Sequence, residues 1–338
     1  MPNKCLRIAV IGLGFIGKFH ARIFSELPNV KLVAIADINI NSINIQEKEY
    51  FNCNFYKDFK EMIDKEELDA VSICTPDSFH LENALYSAEK GLDILIEKPI
   101  SAKYEDALKI KEAALKNNVS IMVAHILHFD PRYVKLKESI KKGEIGEIVH
   151  AYFRRTNPRA NCERLGGNTS IFYFIGVHDF EMMCSYIDST PIKVYSQKVC
   201  KVNSHLSVNA EDTVISIVNF ENGAIGIIEL CWALPNNTAL GINTYAEIVG
   251  DKAAGYINIM DQGVSIISEK EVEYPDILHW PEYNGTINGD LKEELYHFVD
   301  ATLNKKEYIT NIDTAITAVK IINACFKSIE TGFPVDIK

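Results

Sequence analysis

The stretch LRIAVIGLGFIGKFHARIF, residues 6–24, decides how the chain begins to fold. LRIAVI is a largely apolar run of strand length, interrupted only by Arg7. It breaks into Gly12-x-Gly14-x-x-Gly17, and residues 15–26 then carry apolar side chains at helical spacing. A second apolar strand, KLVAIAD, follows and ends in Asp37. Strand, glycine turn, helix and acid-tipped strand together form a dinucleotide-binding fingerprint. Gly12 permits the tight turn, Gly14 lets a pyrophosphate approach the backbone, and Gly17 lets helix and strand pack closely. Gly12, Gly14, Phe15, Ile16 and Gly17 are thus the expected phosphate cradle, at a helix N-terminus whose N–H groups lack partners. Asp37 is placed to accept hydrogen bonds from a ribose, unless it is only a turn residue. Its charge would repel a 2′-phosphate, and no arginine follows at once in ADININS. NAD is therefore expected rather than NADP.

Working outward, AVSICT, LDILIEKP and SIMVAH are further apolar strands alternating with helical patterns. Strands of this kind are buried on both faces, which implies a parallel, doubly wound sheet. After about residue 125 the pattern changes. GEIVHAYFRRT, IKVYSQKVC, DTVISIVNF, GAIGIIELCWA and TYAEIVG alternate apolar and polar residues, with turn signals at ENG and GDKAAG. Helical patterns recur at about 173–187, 290–303 and 312–331. The expected fold is α/β: an NAD-binding Rossmann domain over 1–124, then an α+β domain over 125–338 with a largely antiparallel, open-faced sheet. Substrate binding and oligomerisation are assigned to the second domain, and its last helices are free to pack back on the first.

The composition fits two cores in 338 residues, with 47% hydrophobic and 24% charged residues. A net charge of −11 argues against a nucleic-acid surface. No apolar run approaches the roughly 18 residues of a membrane span. The start MPNKCLRIAV lacks a signal-peptide pattern, so a cytoplasmic protein is expected. None of the 8 cysteines forms a CxxC pair, which suggests free thiols. His125 and His128 have no evident third ligand, so no metal is expected.

LDILIEKPIS, residues 92–101, ends a buried strand in Glu97-Lys98-Pro99. Either this is a solvated charge pair at a strand stop, or Lys98 stands at the carboxyl end of a parallel strand, where α/β proteins bind ligands. Oxidising a secondary alcohol needs a proton acceptor at the hydroxyl, and a partly desolvated lysine is suited to that task. His178 lies in a segment of helical pattern and reads either as a core histidine or as a second proton carrier. FRRTNPRANCERLGGN, residues 153–168, clusters Arg154, Arg155, Arg159 and Arg164. It suits either substrate recognition or a surface contact. Trp280 and Tyr283 could form a stacking wall for a sugar ring or simply pack locally.

VIGLGFIG, AIAD, VSICTPDSFH and ILIEKP, followed by HFDPRY, IGEI, GVHDFEMM and TGFPVDI, occur in one order along essentially the whole chain. Together they resemble the glucose-fructose oxidoreductase/inositol dehydrogenase (Gfo/Idh/MocA) family. The resemblance implies hydride transfer between NAD and a secondary hydroxyl of a sugar, sugar derivative or cyclitol, in a homodimer or homotetramer. It places Thr75, Pro76 and His80 along the nicotinamide half of the cofactor site, with Glu97 and Lys98 following, and sets Lys98 and His178 on either side of the reacting hydroxyl. His128 stands where many relatives have arginine, and joins Arg155, Tyr173 and Trp280 as a substrate candidate. Many relatives also carry an aspartate four residues before the histidine, where this chain has Phe174; Tyr173 beside it could supply a hydroxyl. Two other readings remain: a bound-NAD enzyme that uses transient oxidation for hydrolysis or isomerisation, and a non-catalytic dinucleotide sensor.

Overall fold

The structure, a computed structural model, describes residues 5–43, 49–206, 210–238, 241–259, 263–270 and 272–337. It divides into two compact units, one of residues up to Phe129 with Leu278–Ile316, the other of Asp130–Ile277 with Thr317–Lys338.

In the first unit β1 (Leu6–Ile11), β2 (Val30–Ala36), β3 (Asn54–Tyr56), β4 (Ala70–Ile73), β5 (Asp93–Glu97) and β6 (Ile121–Ala124) form one sheet. Its order is β3-β2-β1-β4-β5-β6 and every pair is parallel. The connections run through α1 (Phe15–Glu26), α2 (Phe59–Lys65), α3 (His80–Glu89) and α4 (Tyr104–Asn117). The sequence explains these elements locally. Asp58 caps α2 by accepting from the Lys60 N–H, and Asn118 ends α4 in a left-handed conformation. The core joins Ile8, Val10, Phe24, Leu95 and Met122 to Leu291, Leu295 and Phe298 of a late helix, α8 below.

The second unit contains α5 (Pro131–Lys141), β7 (Ile148–Pro158), α6 (Arg159–Leu165), α7 (Val177–Ile187), β8 (Pro191–Val199), β9 (Thr213–Phe220), β10 (Ile225–Leu234), β11 (Asn243–Gly250) and β12 (Ala254–Asn258). Two late helices, α8 (Asp290–Asn304) and α9 (Ile312–Thr331), precede a final short strand, β13 (Val335–Asp336). The sheet order is β12-β11-β7-β10-β9-β8-β13. All of its pairs are antiparallel except β7 with β10. On β8 and β9 Val194, Val214 and Val218 are buried, while Tyr195, Ile215 and Ile217 on the opposite face are exposed. α7 packs on the buried face. The approach is close enough that a Cβ on Gly226 would lie 2.1 Å from the sulfur of Met183.

The expected break at 124/125 therefore moves to 129/130, and the second segment is interrupted by residues 278–316. The cause is the apolar stripe of α8, whose Leu291, Leu295 and Phe298 complete the core around β1 and α1. No helix among the described residues is long and apolar enough to cross a membrane.

Candidate active site

The glycine turn is built by contact. Gly12 has φ +92°, and a Cβ there would stand 2.9 Å from the backbone of Cys74 and Thr75. A Cβ on Gly17 would lie 2.0 Å from the Gly12 carbonyl oxygen, so α1 reaches β1 only with glycine at that place. Gly14 differs. Nothing lies within 4 Å of the Cβ position, so the space beside its backbone is open. It is also the N-cap of α1, with Phe15, Ile16 and Gly17 in the first turn. Unpartnered N–H groups beside an open, side-chain-free backbone fit a pyrophosphate.

Asp37 follows β2 immediately. Its Oδ2 accepts from the Leu13 N–H at 2.6 Å and its Oδ1 from the Asn39 N–H at 2.7 Å. The carboxylate is thus tied directly to the glycine turn.

Thr75 and Pro76 form the loop after β4. The Asn83 amide donates to the Thr75 hydroxyl at 2.9 Å, which leaves that hydroxyl's own proton free to point elsewhere. His80 does not project into this loop's open side. It is 1% exposed, and its ring nitrogens lie 2.9 Å from the carbonyls of Pro99 and Thr75. As the first residue of α3 it clamps the chain leaving β4 to the chain leaving β5. Burial favours the neutral ring, which carries one N–H, so one of these two carbonyls takes its proton.

Glu97 ends β5, and half-buried Lys98 follows at the carboxyl edge of the sheet, two strands from the glycine turn. One Glu97 oxygen accepts from the Lys98 N–H at 3.2 Å, and the other lies 3.2 Å from Nε2 of buried His20. The expected cofactor-site carboxylate therefore turns partly inward. His128 is buried in the 3₁₀ turn after β6, in the same unit.

In the second unit His178 is half-buried in the first turn of α7, directly after a π turn at Phe172–Gly176. Two devices fix that turn. A Cβ on Gly176 would meet the Leu230 side chain of β10 at 2.4 Å, so a larger residue would have to displace it. Asp179 is fully buried and receives both Nε and an Nη of Arg155, each at 2.8 Å. Arg155, expected at the substrate, is thus an internal anchor of α7: it is 5% exposed, and a fork–fork pair uses its planar guanidinium. Tyr173 accepts from the Asn323 amide at 2.9 Å and lies against Phe326, while Phe174 packs near Trp232. Arg164 stands over the Phe174 ring. Trp280 lies in the first unit, against Phe15 and Phe19 of α1. Its ring packs against the helix that opens at the glycine turn.

Sequence reasoning missed His20, Asn83 and Glu294. His20 and Glu294 carried a readable signal, since each is a polar residue on the apolar stripe of its helix.

Family models match both parts of the chain: the oxidoreductase family's NAD-binding Rossmann fold over residues 6–125, and its C-terminal alpha/beta domain over residues 137–337. The chain belongs to the Gfo/Idh/MocA oxidoreductase family. Among its Gfo/Idh/MocA relatives, scyllo-inositol 2-dehydrogenase (NAD(+)) of Bacillus subtilis is 27% identical, over 98% of this chain and 96% of that protein. D-glucoside 3-dehydrogenase of Escherichia coli is 25% identical, over 100% and 99%. The structure of scyllo-inositol dehydrogenase from Lactobacillus casei with bound NAD(H) and scyllo-inositol superposes with a TM-score of 0.84 at 19% identity, covering 99% of each chain. That last likeness establishes the shared fold.

Proposed function

We propose that this oxidoreductase oxidises, or reduces to, a secondary hydroxyl of a cyclitol, sugar or sugar derivative, with Lys98 as the proton-handling residue beside NAD. One observation carries the reading: Lys98 emerges from β5 on the same carboxyl edge of the sheet as the open backbone of Gly14. The relatives named for inositol and glucoside substrates support the substrate class.

NAD, when bound, supplies the hydride acceptor. The protein does the rest. The α1 N-terminus and Gly14 hold the pyrophosphate, and Asp37 takes the ribose hydroxyls and disfavours a 2′-phosphate. Neutral Lys98 Nζ accepts the hydroxyl proton as the carbon loses hydride, and the resulting ammonium stabilises negative charge on that oxygen. His178 is the second proton-handling candidate, because a neutral imidazole both accepts and donates near neutral pH.

The test is a screen of scyllo-inositol, myo-inositol and simple glucosides with NAD, followed at the nicotinamide absorbance, for the parent and for Lys98→Ala. Loss of turnover by roughly 100-fold or more, with NADH still bound, is the expected outcome. Undiminished turnover in Lys98→Ala would remove this residue from the mechanism. The open sheet face carrying Tyr195, Ile215 and Ile217 is assigned by the same reading to contact between copies of the chain.

A further inference from the structure

A buried histidine on α1 accounts for a part of the molecule that the reaction scheme does not use. The α1 face toward the sheet needs only apolar side chains to pack, yet it carries His20, fully buried. Burying an imidazole is costly unless its polar atoms are met. Nδ1 is met at the end of β4, while Nε2 stands at ion-pair distance from Glu97 at the end of β5, without hydrogen-bond geometry. Nδ1 lies 2.9 Å from the Ser72 hydroxyl and 3.4 Å from the Cys74 sulfur, and Nε2 lies 3.2 Å from Glu97 Oε1. The far Glu97 oxygen accepts from the Lys98 N–H. Cys74 is also the residue against whose backbone Gly12 packs, and its Cβ bounds Gly17 at 3.2 Å. One imidazole therefore joins the glycine turn, the β4 end and the β5 end.

We propose that His20 is a positioning residue for Lys98: it holds the Glu97 carboxylate, and through it the backbone that aims the lysine, in register with the cofactor turn. The proposal rests on the reading of Lys98 given above. The groups facing His20 are Ser72 of β4 and Cys74 just after it, Glu97 of β5, and Glu294 of α8. Lys98 and His80 act in turn on Glu97, and Asp290 acts on Glu294. Burial works against a charge on His20, but Cys74 and Glu97 raise it to about 10. Burial also works against the Glu97 charge, yet His20 and Lys98 hold it below its usual range. Glu294 is fully buried, and neither of its oxygens has a hydrogen-bond partner among the described residues. Burial and the Glu97 charge keep it a neutral acid. His20 and Glu97 thus favour each other's charged forms, beside a buried carboxyl for which burial and Glu97 favour the neutral form. Removing the imidazole leaves Glu97 as a buried charge without its partner and frees it to swing from the Lys98 N–H.

The experiment uses the full-length protein with NAD and the best substrate of the screen, and measures kcat, KM, NADH affinity by fluorescence titration and thermal unfolding. His20→Leu should lower kcat by at least about tenfold while KM and NADH affinity stay within about threefold, because aim is lost and binding is not. His20→Gln, whose amide can still donate to Glu97, should restore kcat to within about threefold of the parent. A merely structural histidine would give equal losses in both variants, and that result overturns the proposal, as does an unchanged kcat in His20→Leu. Should His20→Leu fail to fold, Glu97→Gln replaces it with the same expected split, and an unchanged kcat there is equally fatal. Turnover surviving in Lys98→Ala overturns the proposed function together with this proposal. Turnover lost in Lys98→Ala but kept in His20→Leu overturns this proposal alone.

Discussion

At the scale of single residues, similar side chains carry different loads. Gly14 and Gly17 belong to one motif, yet a methyl group at Gly14 enters open space and one at Gly17 enters the Gly12 carbonyl. Gly14→Ala should therefore fold with an unchanged melting temperature and bind NADH at least roughly tenfold more weakly, since the phosphate loses its approach. Gly17→Ala should lose about 2 kcal/mol or more of stability in urea unfolding, because backbone must move. Asp37→Ala should weaken NAD binding and narrow the gap to NADP; equal affinities for both cofactors before and after substitution would sink that role.

Glu294 offers a pH test. Its carboxyl is held neutral in the fold, well above the ordinary 4.5. Between pH 4.5 and its folded value the native chain keeps a proton that the unfolded chain releases, so stability falls as pH rises. The slope is about 1.4 kcal/mol per pH unit for one such proton. His20 adds to the same trend, losing its contribution as pH climbs from 6.5 through about 10. Glu294→Gln keeps the shape without the ionisation. Its advantage over the parent in melting temperature should grow from pH 6 to pH 9. A constant offset would show that Glu294 is already charged.

At the scale of elements, α7 is held by a buried ion pair. Removing one member of such a pair leaves an uncompensated charge, so Arg155→Leu should cost roughly 3–5 kcal/mol by urea unfolding. Adding Asp179→Leu should recover most of that loss. The helices and strands themselves were largely legible. Glycine turns, apolar runs and alternation placed β1, β2, β4, β5 and β6, and the strands β7 to β11, close to where they stand. Two kinds of information were not legible. Partner choice across the sheet is one. Arg155 looked outward in a loop-side arginine cluster until β7 and α7 were seen to bring Asp179 against it. The other is local packing of aromatics: the sequence leaves Trp280 open between a stacking wall and local packing, because nothing in it says that Phe15 and Phe19 lie against the ring.

At the scale of the whole molecule, the fold is two cores drawn from a chain that returns. The sequence places the first boundary within a few residues, but which late helix returns to the first unit is not legible, since α8 looks like any amphipathic helix and its partner core lies far back in the chain. The second unit's sheet leaves Tyr195, Ile215, Ile217 and Ile225 exposed on neighbouring strands. A soluble monomer rarely shows such a surface. Ile215→Glu with Ile217→Glu should shift the protein to a smaller species in sedimentation velocity without lowering its helix content. No shift would remove this face from assembly.

The π turn at Phe172–Gly176 has a consequence for comparing relatives. It widens one turn of the helical backbone by a residue. A relative whose helix runs straight through would align with a one-residue gap just before the histidine. Counting positions back from His178 would then misname the counterpart of any acid by one. Superposed coordinates, rather than aligned letters, are the proper ruler for deciding what stands in for it.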